Sequence, residues 1–339
     1  MVFITSASFV KLLIIGLGSS GQRYARVLRS LFPDSRIYVY RGKHRMGLIN
    51  KALTKIDQKI DPVDHYCLIE LNLNQARSEF YDFVVICTPV DSHLFYAKQF
   101  YLRTKKLLIE KPLCYKAEEI LEFTKIQSNS DVKILVGYQN FYNPIFLEIL
   151  KQYRNLKGKK EIQMDYLEPL SAMNPFRDMS THHLATPQGG GALLALSHEL
   201  EFLFRLEPAI YKYLTADCKV RDGSSKILDS FIINLRHSTE NISSLVLNLS
   251  FALGSNKRGG IVKASGATIV WDLKKKILRL IRNGEEKLIK FDYDSDELIG
   301  RLVSEYLFDE IQDSDLSERF TRAKQVVELS FESMGGKSA

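Results

Sequence analysis

A glycine-rich turn near the amino terminus constrains the fold of this chain more than any other stretch. The apolar residues 12–15 are followed by Gly-Leu-Gly-Ser-Ser-Gly at residues 16–21, and a helical pattern covers residues 22–31. Glycines at this spacing allow a tight turn and the close approach of a pyrophosphate, which the amides at the helix start would bind. The spacing alone is common in turns, but the flanking strand and helix favour a dinucleotide site over a strand–turn–helix without a ligand. The residues predicted to bind the cofactor here are Gly16, Gly18, Ser19, Ser20 and Gly21.

Length, composition and charge limit the class of protein. A chain of 339 residues is long for one domain, and its 45% hydrophobic and 26% charged residues are typical of a globular protein. We expect no membrane partner, because no apolar run reaches the roughly 20 residues of a membrane helix. The first residues lack the pattern of a signal peptide. A net charge of +7 without an arginine-rich helix does not indicate nucleic-acid binding.

The four cysteines indicate neither a metal site nor disulfide bonds. They are widely spaced, with no C-x-x-C pair and no Cys/His spacing typical of zinc. We therefore expect reduced thiols, no metal and a cytoplasmic location. The four residues are Cys67, Cys87, Cys114 and Cys218.

The end of the second predicted strand, residues 36–40, is where the ribose of the adenosine would bind. An acidic residue at this point binds the 2′-hydroxyl of NAD, but this chain has Arg41, about 20 residues after the glycine turn. A guanidinium suits a 2′-phosphate because it donates planar, charge-assisted hydrogen bonds. The sequence therefore slightly favours NADP over NAD. The alternative is that Arg41 is a loop charge facing water.

Two further predicted strands, residues 81–87 and 106–109, end in residues suited to a ligand site. The carboxyl ends of parallel strands form the ligand-binding edge of an open α/β sheet. Lys111, followed by a proline that restricts the backbone, could donate a hydrogen bond to a substrate oxygen or take part in its proton transfer. The alternative is that Lys111 is an ordinary surface charge, the common role of a lone lysine after a strand. The candidate cofactor-binding residues at these strand ends are Thr88, Pro89, His93, Glu110 and Lys111.

The order and spacing of these motifs resemble the Gfo/Idh/MocA family, which includes glucose–fructose oxidoreductase and inositol dehydrogenase. Beyond the glycine turn and the two strand ends, the resemblance extends to residues 136–144 and to the glycine-rich residues 189–201. It implies that Lys111 and His198 are the catalytic residues. His198 would be the principal acid/base, since the ordinary pKa of histidine lies near neutrality.

The resemblance implies a nicotinamide-dependent oxidoreductase, and one departure from the family leaves an alternative. Ala195 stands where many members have an aspartate, and alanine cannot accept a hydrogen bond from a histidine. The first hypothesis is a dehydrogenase or reductase that acts on CH–OH groups of a small sugar or nucleotide sugar, in surface-polysaccharide sugar metabolism. The second is a catalytically silent NAD(P)-binding sensor or scaffold. Reduction of a non-sugar carbonyl or a conjugated double bond is a third.

The predicted fold is α/β with two domains. Residues 1–144 form a Rossmann domain with a doubly wound parallel sheet, because strands alternate with helices. Residues 145–339 form an α+β domain with a large, open, mainly antiparallel sheet, because apolar and polar residues alternate in stretches such as 244–249. The resemblance implies a homo-oligomer through this sheet, and we expect the last two helices to pack back on the first domain. Further predicted helices are residues 46–53 and 192–206.

Overall fold

The computed structural model describes residues 10–42, 45–50, 56–57, 59–173, 191–220, 228–251 and 256–333. The chain divides into two compact units. The first comprises Met1–Gly137 and Ser295–Thr321, and the second comprises Tyr138–Asp294 and Arg322–Ala339. The first unit therefore contains a segment from near the end of the chain.

The first unit is built on a parallel sheet. Its strands are β1 (Lys11–Ile15), β2 (Arg36–Tyr40), β3 (Leu48–Ile49), β4 (Ile56–Asp57), β5 (Ile69–Glu70), β6 (Phe83–Ile86), β7 (Lys106–Ile109) and β8 (Lys133–Val136). Six of them form one sheet in the order β5-β2-β1-β6-β7-β8, with every pairing parallel. Counted along the chain, this is the order 3-2-1-4-5-6 of doubly wound dinucleotide-binding folds. The predicted Rossmann sheet is confirmed.

The helices of the first unit connect these parallel strands. They are α1 (Ser19–Leu31), α2 (Pro62–His65), α3 (Leu73–Ser78), α4 (His93–Phe100) and α5 (Ala117–Ser128). The helix predicted over residues 46–53 is wrong where the structure describes it, because Leu48–Ile49 form the strand β3, which pairs antiparallel with β4. The side chain of Gln22 explains the difference, since its amide donates to Gly47 O at 2.9 Å and accepts from Ile49 N at 2.8 Å.

The second unit is built on an eight-stranded sheet. Its strands are β9 (Lys160–Leu167), β10 (Leu214–Val220), β11 (Leu228–Leu235), β12 (Ile242–Ser250), β13 (Lys257–Ala264), β14 (Ala267–Asp272), β15 (Ile277–Arg282) and β16 (Glu285–Lys290). Their order is β10-β11-β12-β9-β13-β14-β15-β16, and only the β12–β9 pairing is parallel among the described strands. The predicted large, mainly antiparallel sheet is confirmed.

Among the described residues, one face of this sheet is buried and the other is half-buried. Val262, Ile269 and Leu278 are buried, whereas Ile261 and Val270, which alternate with them, are half-buried. This alternation is the pattern of a sheet covered on one side. The helices of the unit that precede β10 are α6 (Pro144–Tyr153), α7 (Leu170–Met173), α8 (Gly191–Ala195) and α9 (His198–Leu206).

The helix predicted over residues 192–206 is two helices. The first, α8, ends at Ala195, and α9 begins at His198. Ala195 and His198 therefore belong to different helices. The prediction of one helix failed because the apolar periodicity continues across the break at Leu196 and Ser197.

Two helices complete the described chain, α10 (Ser295–Leu307) and α11 (Asp313–Ser333). α10 belongs to the first unit and packs on α1, where the Arg26 guanidinium holds Asp296 by two hydrogen bonds of 2.6 and 3.0 Å. In the part of the chain that the structure describes, none of the helices has the length and apolarity to cross a membrane.

Candidate active site

The glycine turn between β1 and α1 has the geometry that the sequence predicts for a pyrophosphate site. Gly16 adopts φ +91°, and its N–H donates to Tyr40 O at 2.8 Å. A Cβ at Gly21 would lie 1.9 Å from Gly16 O, so the turn itself requires glycine at both positions. A Cβ at Gly18, in contrast, would meet nothing within 4 Å. The open space at Gly18 fits a pyrophosphate approaching the backbone.

The start of α1 is available to an anion. Gly18 is the N-cap, and none of the described side chains caps the helix there. The first turn contains Ser19 and Ser20 and has no acidic residue. Free amides at the start of a 13-residue helix, together with its dipole, favour a negatively charged group at this position.

The His93 side chain contacts the segments that follow β6 and β7, which carry the other predicted residues. Its Nε2 lies 2.9 Å from Thr88 O, and its Nδ1 lies 3.0 Å from Pro112 O. The side chain is buried, and burial lowers the pKa of His93 despite these contacts. His93 was predicted to bind the cofactor, but both of its nitrogens face backbone carbonyls. The contacts make it a residue that holds the segments beside Thr88 and Lys111.

Glu110 lies beneath the same edge of the sheet. Its Oε1 accepts a hydrogen bond of 2.9 Å from Tyr24 OH, and burial raises the pKa of both groups. A Cβ at Gly137 would lie 3.0 Å from Glu110 Oε1 and 3.1 Å from Tyr24 OH. The carboxyl group is thus enclosed within the unit, next to the half-buried Lys111. The sequence did not assign Tyr24 to this role.

Arg41 is held by two carboxylates that the sequence analysis did not connect with it. Its Nη2 lies 2.5 Å from Glu70 Oε2, and its Nη1 lies 2.7 Å from Asp61 Oδ1. Only 6% of the Arg41 side chain is exposed, so it is not a loop charge facing water. The sequence around Arg41 does not indicate these ion pairs. Glu70 lies on β5, 29 residues further along the chain, and reaches Arg41 through the pairing of β2 with β5.

In the second unit, His198 is the first residue of α9 and is 5% exposed. The ring of Tyr138 meets its ring edge-on, with 5.6 Å between centroids. Tyr138 OH also lies 3.5 Å from Oγ of Ser197, the residue before the histidine. These contacts restrict the orientation of the imidazole.

Two buried ion pairs hold the helix that carries His198. Arg258 Nε lies 2.5 Å from Glu199 Oε1, and Arg322 Nε lies 3.0 Å from Glu201 Oε1. Glu199 and Glu201 are almost fully buried, and breaking a buried pair leaves an uncompensated charge. The sequence analysis missed these pairs, because their arginines lie far along the chain.

The predicted site residues divide between the two units. The glycine turn, Thr88, His93 and the segment around Lys111 are contiguous in the first unit, whereas His198 belongs to the second. Within the described residues, no group of three or more His, Cys, Asp or Glu is placed to hold a metal ion. Residues 189 and 190 of the glycine-rich segment lie outside the described residues.

Comparisons with known proteins agree with this fold. The Gfo/Idh/MocA family model, described as an oxidoreductase family with an NAD-binding Rossmann fold, matches residues 10–138. Inositol 2-dehydrogenase of Rhizobium meliloti (strain 1021) is 29% identical over 113 residues, which are 30% of this chain and 34% of that protein. The match thus spans about a third of that relative.

Solved structures resemble the chain over nearly its whole length. Biliverdin reductase of Synechocystis sp. PCC 6803 has a TM-score of 0.74 at 17% identity, with 96% of this chain and 99% of that chain covered. UDP-N-acetylglucosamine 3-dehydrogenase of Acidithiobacillus ferrooxidans has a TM-score of 0.72 at 12% identity, covering 96% and 97%. Levoglucosan dehydrogenase, solved with NADH and levoglucosan, has a TM-score of 0.73 at 14% identity, covering 98% of both chains. At these identities the likeness concerns the fold.

The parallel sheet, the glycine turn and the match over residues 10–138 define a Rossmann domain of the NAD-binding kind. Residues 10–138 match the model of the Gfo/Idh/MocA family, to which the order of the motifs pointed, and a curated inositol 2-dehydrogenase is similar over 113 residues.

Proposed function

We propose that this chain is a nicotinamide-dependent dehydrogenase or reductase that acts on a hydroxyl or keto carbon of a sugar or nucleotide sugar. The observation that carries the proposal is the glycine turn, with open space at Gly18 before α1, in a family with an NAD-binding Rossmann fold. The names of inositol, levoglucosan and UDP-N-acetylglucosamine dehydrogenases among the similar proteins support a sugar-like substrate. A role in surface-polysaccharide sugar metabolism is the narrower form of this proposal.

The glycine turn and the start of α1 would hold the nicotinamide dinucleotide, which would supply hydride-transfer chemistry when bound. Lys111 donates a hydrogen bond from its ammonium group to the substrate oxygen. His198 accepts the hydroxyl proton during oxidation and returns it during reduction, since a neutral imidazole is a suitable base near pH 7. Glu110 and His93 position Lys111 through the buried contacts on either side of it.

We propose NAD(H) as the cofactor in place of the NADP(H) that Arg41 alone predicts. Two carboxylates neutralise the guanidinium, and a 2′-phosphate would have to displace at least one of them. The sequence alone slightly favours NADP, and that preference stays a prediction beside this proposal.

We also propose that the protein works in the cytoplasm as a homo-oligomer. All four cysteines lie outside disulfide bonds, which supports a reducing compartment. The uncovered face of the second sheet supports self-association, because apolar residues recur across it. In register, one row on this face runs Val246, Gln163, Ile261, Val270, Arg279 and Leu288.

The proposal is tested by mixing the purified chain with NAD⁺ or NADP⁺ and a panel of sugars and nucleotide sugars, and recording the absorbance of reduced nicotinamide. We expect turnover with at least one sugar-type substrate. Lys111→Ala and His198→Ala should each lower kcat by about 10²- to 10⁴-fold, the range for general acid–base groups. Exposed Lys125→Ala is the matched control and should keep full activity. Cofactor binding without turnover on any substrate would favour the silent sensor or scaffold instead.

A further inference from the structure

Glu70 on β5 brings a carboxylate to the carboxyl end of β2, a strand end that has no acidic residue of its own. Glu70 pairs in register with Val39, and Leu71 N donates to Val39 O at 2.9 Å. The residues that follow Val39 on its own strand, Tyr40 and Arg41, carry no carboxyl group. An acid from the neighbouring strand therefore reaches the end of β2, next to the residue whose carbonyl binds the glycine turn.

The ion pairs place the Glu70 carboxylate nearer the solvent than the Arg41 guanidinium that binds it. Arg41 binds Glu70 through Nη2 at 2.5 Å and through Nε at 3.2 Å, and Arg45 Nη2 lies 3.0 Å from Glu70 Oε1. The Glu70 side chain is 33% exposed, whereas that of Arg41 is 6% exposed. The hydrogen bond from Arg41 also holds the pKa of Glu70 below its usual value. An ionised carboxylate thus faces the solvent, with the guanidinium behind it.

A pocket of about 440 Å³ opens at this place, a volume within the range of small-molecule sites. The described charges around it cancel, since Arg41 and Arg45 face the carboxylates of Glu70 and Asp61. Because Tyr40 lines the pocket and its carbonyl accepts from Gly16 N, the pocket adjoins the glycine turn. Its lining residues are Tyr40, Arg41, Gly42, Arg45, Glu70, Leu71, Asn72 and Leu73.

We infer that Glu70 reads the ribose of the adenosine, accepting a hydrogen bond from its 2′-hydroxyl group, and so selects NAD over NADP. This inference rests on the proposed function. Among the described residues, Oε2 of Glu70 is contacted by Arg41 alone and retains a lone pair for a ribose hydroxyl, whereas a phosphate at the 2′ position would have to compete with Glu70 for the Arg41 guanidinium. Arg41 acts here as the residue that positions Glu70 and not as a phosphate ligand.

The test is direct binding of NADH and NADPH to the full chain, measured by isothermal titration calorimetry and by nicotinamide fluorescence. We expect the wild type to bind NADH at least about 10-fold more tightly than NADPH, as the loss of a charged hydrogen bond implies. Glu70→Gln should weaken NADH binding about 10-fold and strengthen NADPH binding, since it frees Arg41. Glu70→Asp keeps the charge and should still prefer NADH.

Glu79→Gln is the matched control, because Glu79 is an exposed carboxylate paired with Lys11 at the opposite end of β1. It should leave both affinities unchanged. Tighter binding of NADPH than NADH by the wild type would overturn the inference. An unchanged ratio of the NADH and NADPH affinities in a folded Glu70→Gln variant would also overturn it. If Glu70→Gln does not fold, a preference of Glu70→Asp for NADPH would overturn the inference. A wild type that binds neither dinucleotide would instead refute the proposed function, and this inference with it.

Discussion

At the scale of single residues, we expect two glycines of the same turn to have different roles: Gly21 is required for folding and Gly18 for dinucleotide binding. Gly21→Ala would place a Cβ 1.9 Å from Gly16 O, so we expect a loss of at least about 3 kcal/mol of unfolding free energy. Gly18→Ala meets nothing within 4 Å, so we expect it to lose only about 1 kcal/mol, the cost of alanine as an N-cap. It should nevertheless weaken dinucleotide binding about 10-fold or more, because its methyl group occupies the space left for the pyrophosphate. Urea denaturation and calorimetric titration of both variants check this. Full dinucleotide affinity in Gly18→Ala would contradict the assignment.

His93 provides a prediction on pH. His93→Asn should cost about 1–3 kcal/mol at pH 8, because the neutral ring donates its single N–H to one of the carbonyls of Thr88 and Pro112 and the shorter side chain loses the packing between them. Burial lowers the pKa of His93 in the folded state, so below about pH 6.5 the unfolded chain binds more protons than the folded chain. Wild-type stability therefore falls on acidification, and the deficit of His93→Asn shrinks.

Urea denaturation at pH 8 and pH 5.5 measures this difference. His65→Asn, at an exposed histidine, is the control and should change stability by no more than about 0.5 kcal/mol. A deficit of His93→Asn that stays constant over this range would mean that His93 does not titrate as described.

At the scale of elements, α10 contains a glycine that its helix does not require. A Cβ at Gly300 would lie 3.8 Å from Val27 Cγ1, an ordinary contact between α10 and α1. Gly300→Ala should therefore raise the unfolding free energy by about 0.5–1 kcal/mol, since alanine loses less backbone entropy in a helix interior. Thermal and urea denaturation measure the gain. A destabilised variant would show that the two helices pack more closely than described.

The opposite case is Gly260 in β13, where the strand packs against an aromatic ring. A Cβ there would lie 2.4 Å from Trp271 Cζ2 and 2.6 Å from Gln163 O. Glycine is thus needed for the close packing of β13 between its neighbours, although a glycine inside a strand ordinarily weakens that strand.

At the scale of the whole molecule, the uncovered face of the second sheet predicts self-association. If the row through Ile261 and Val270 forms an interface, the wild type should have at least twice the chain mass of 38.9 kDa in multi-angle light scattering. Val270→Glu should reduce it to the chain mass, because a buried carboxylate without a partner opposes the contact. Thr239→Glu, on the turn before β12, is the control. A monomeric wild type would refute the prediction.

Much of the fold could be predicted because its signals are local. The apolar strands Lys11–Ile15 and Lys106–Ile109 and the hairpin of Ala267–Asp272 with Ile277–Arg282 depend on patterns of a few consecutive residues. The break between Ala195 and His198 could not be predicted, since the apolar periodicity continues through it. The strand at Leu48–Ile49 depends on the side chain of Gln22, which lies on another element.

The sequence by itself determined the sheet type of each unit, the glycine turn and the resemblance to a family, because backbone restrictions and apolar spacing are properties of neighbouring residues. Only the tertiary structure decided the surroundings of the predicted residues. Arg41 suggests a phosphate ligand until β5 brings Glu70 to it, and His93 suggests a ligand contact until Pro112 meets its ring. The charge and hydrogen-bonding state of a side chain depend on which strands lie side by side, and sheet order is not contained in any local stretch.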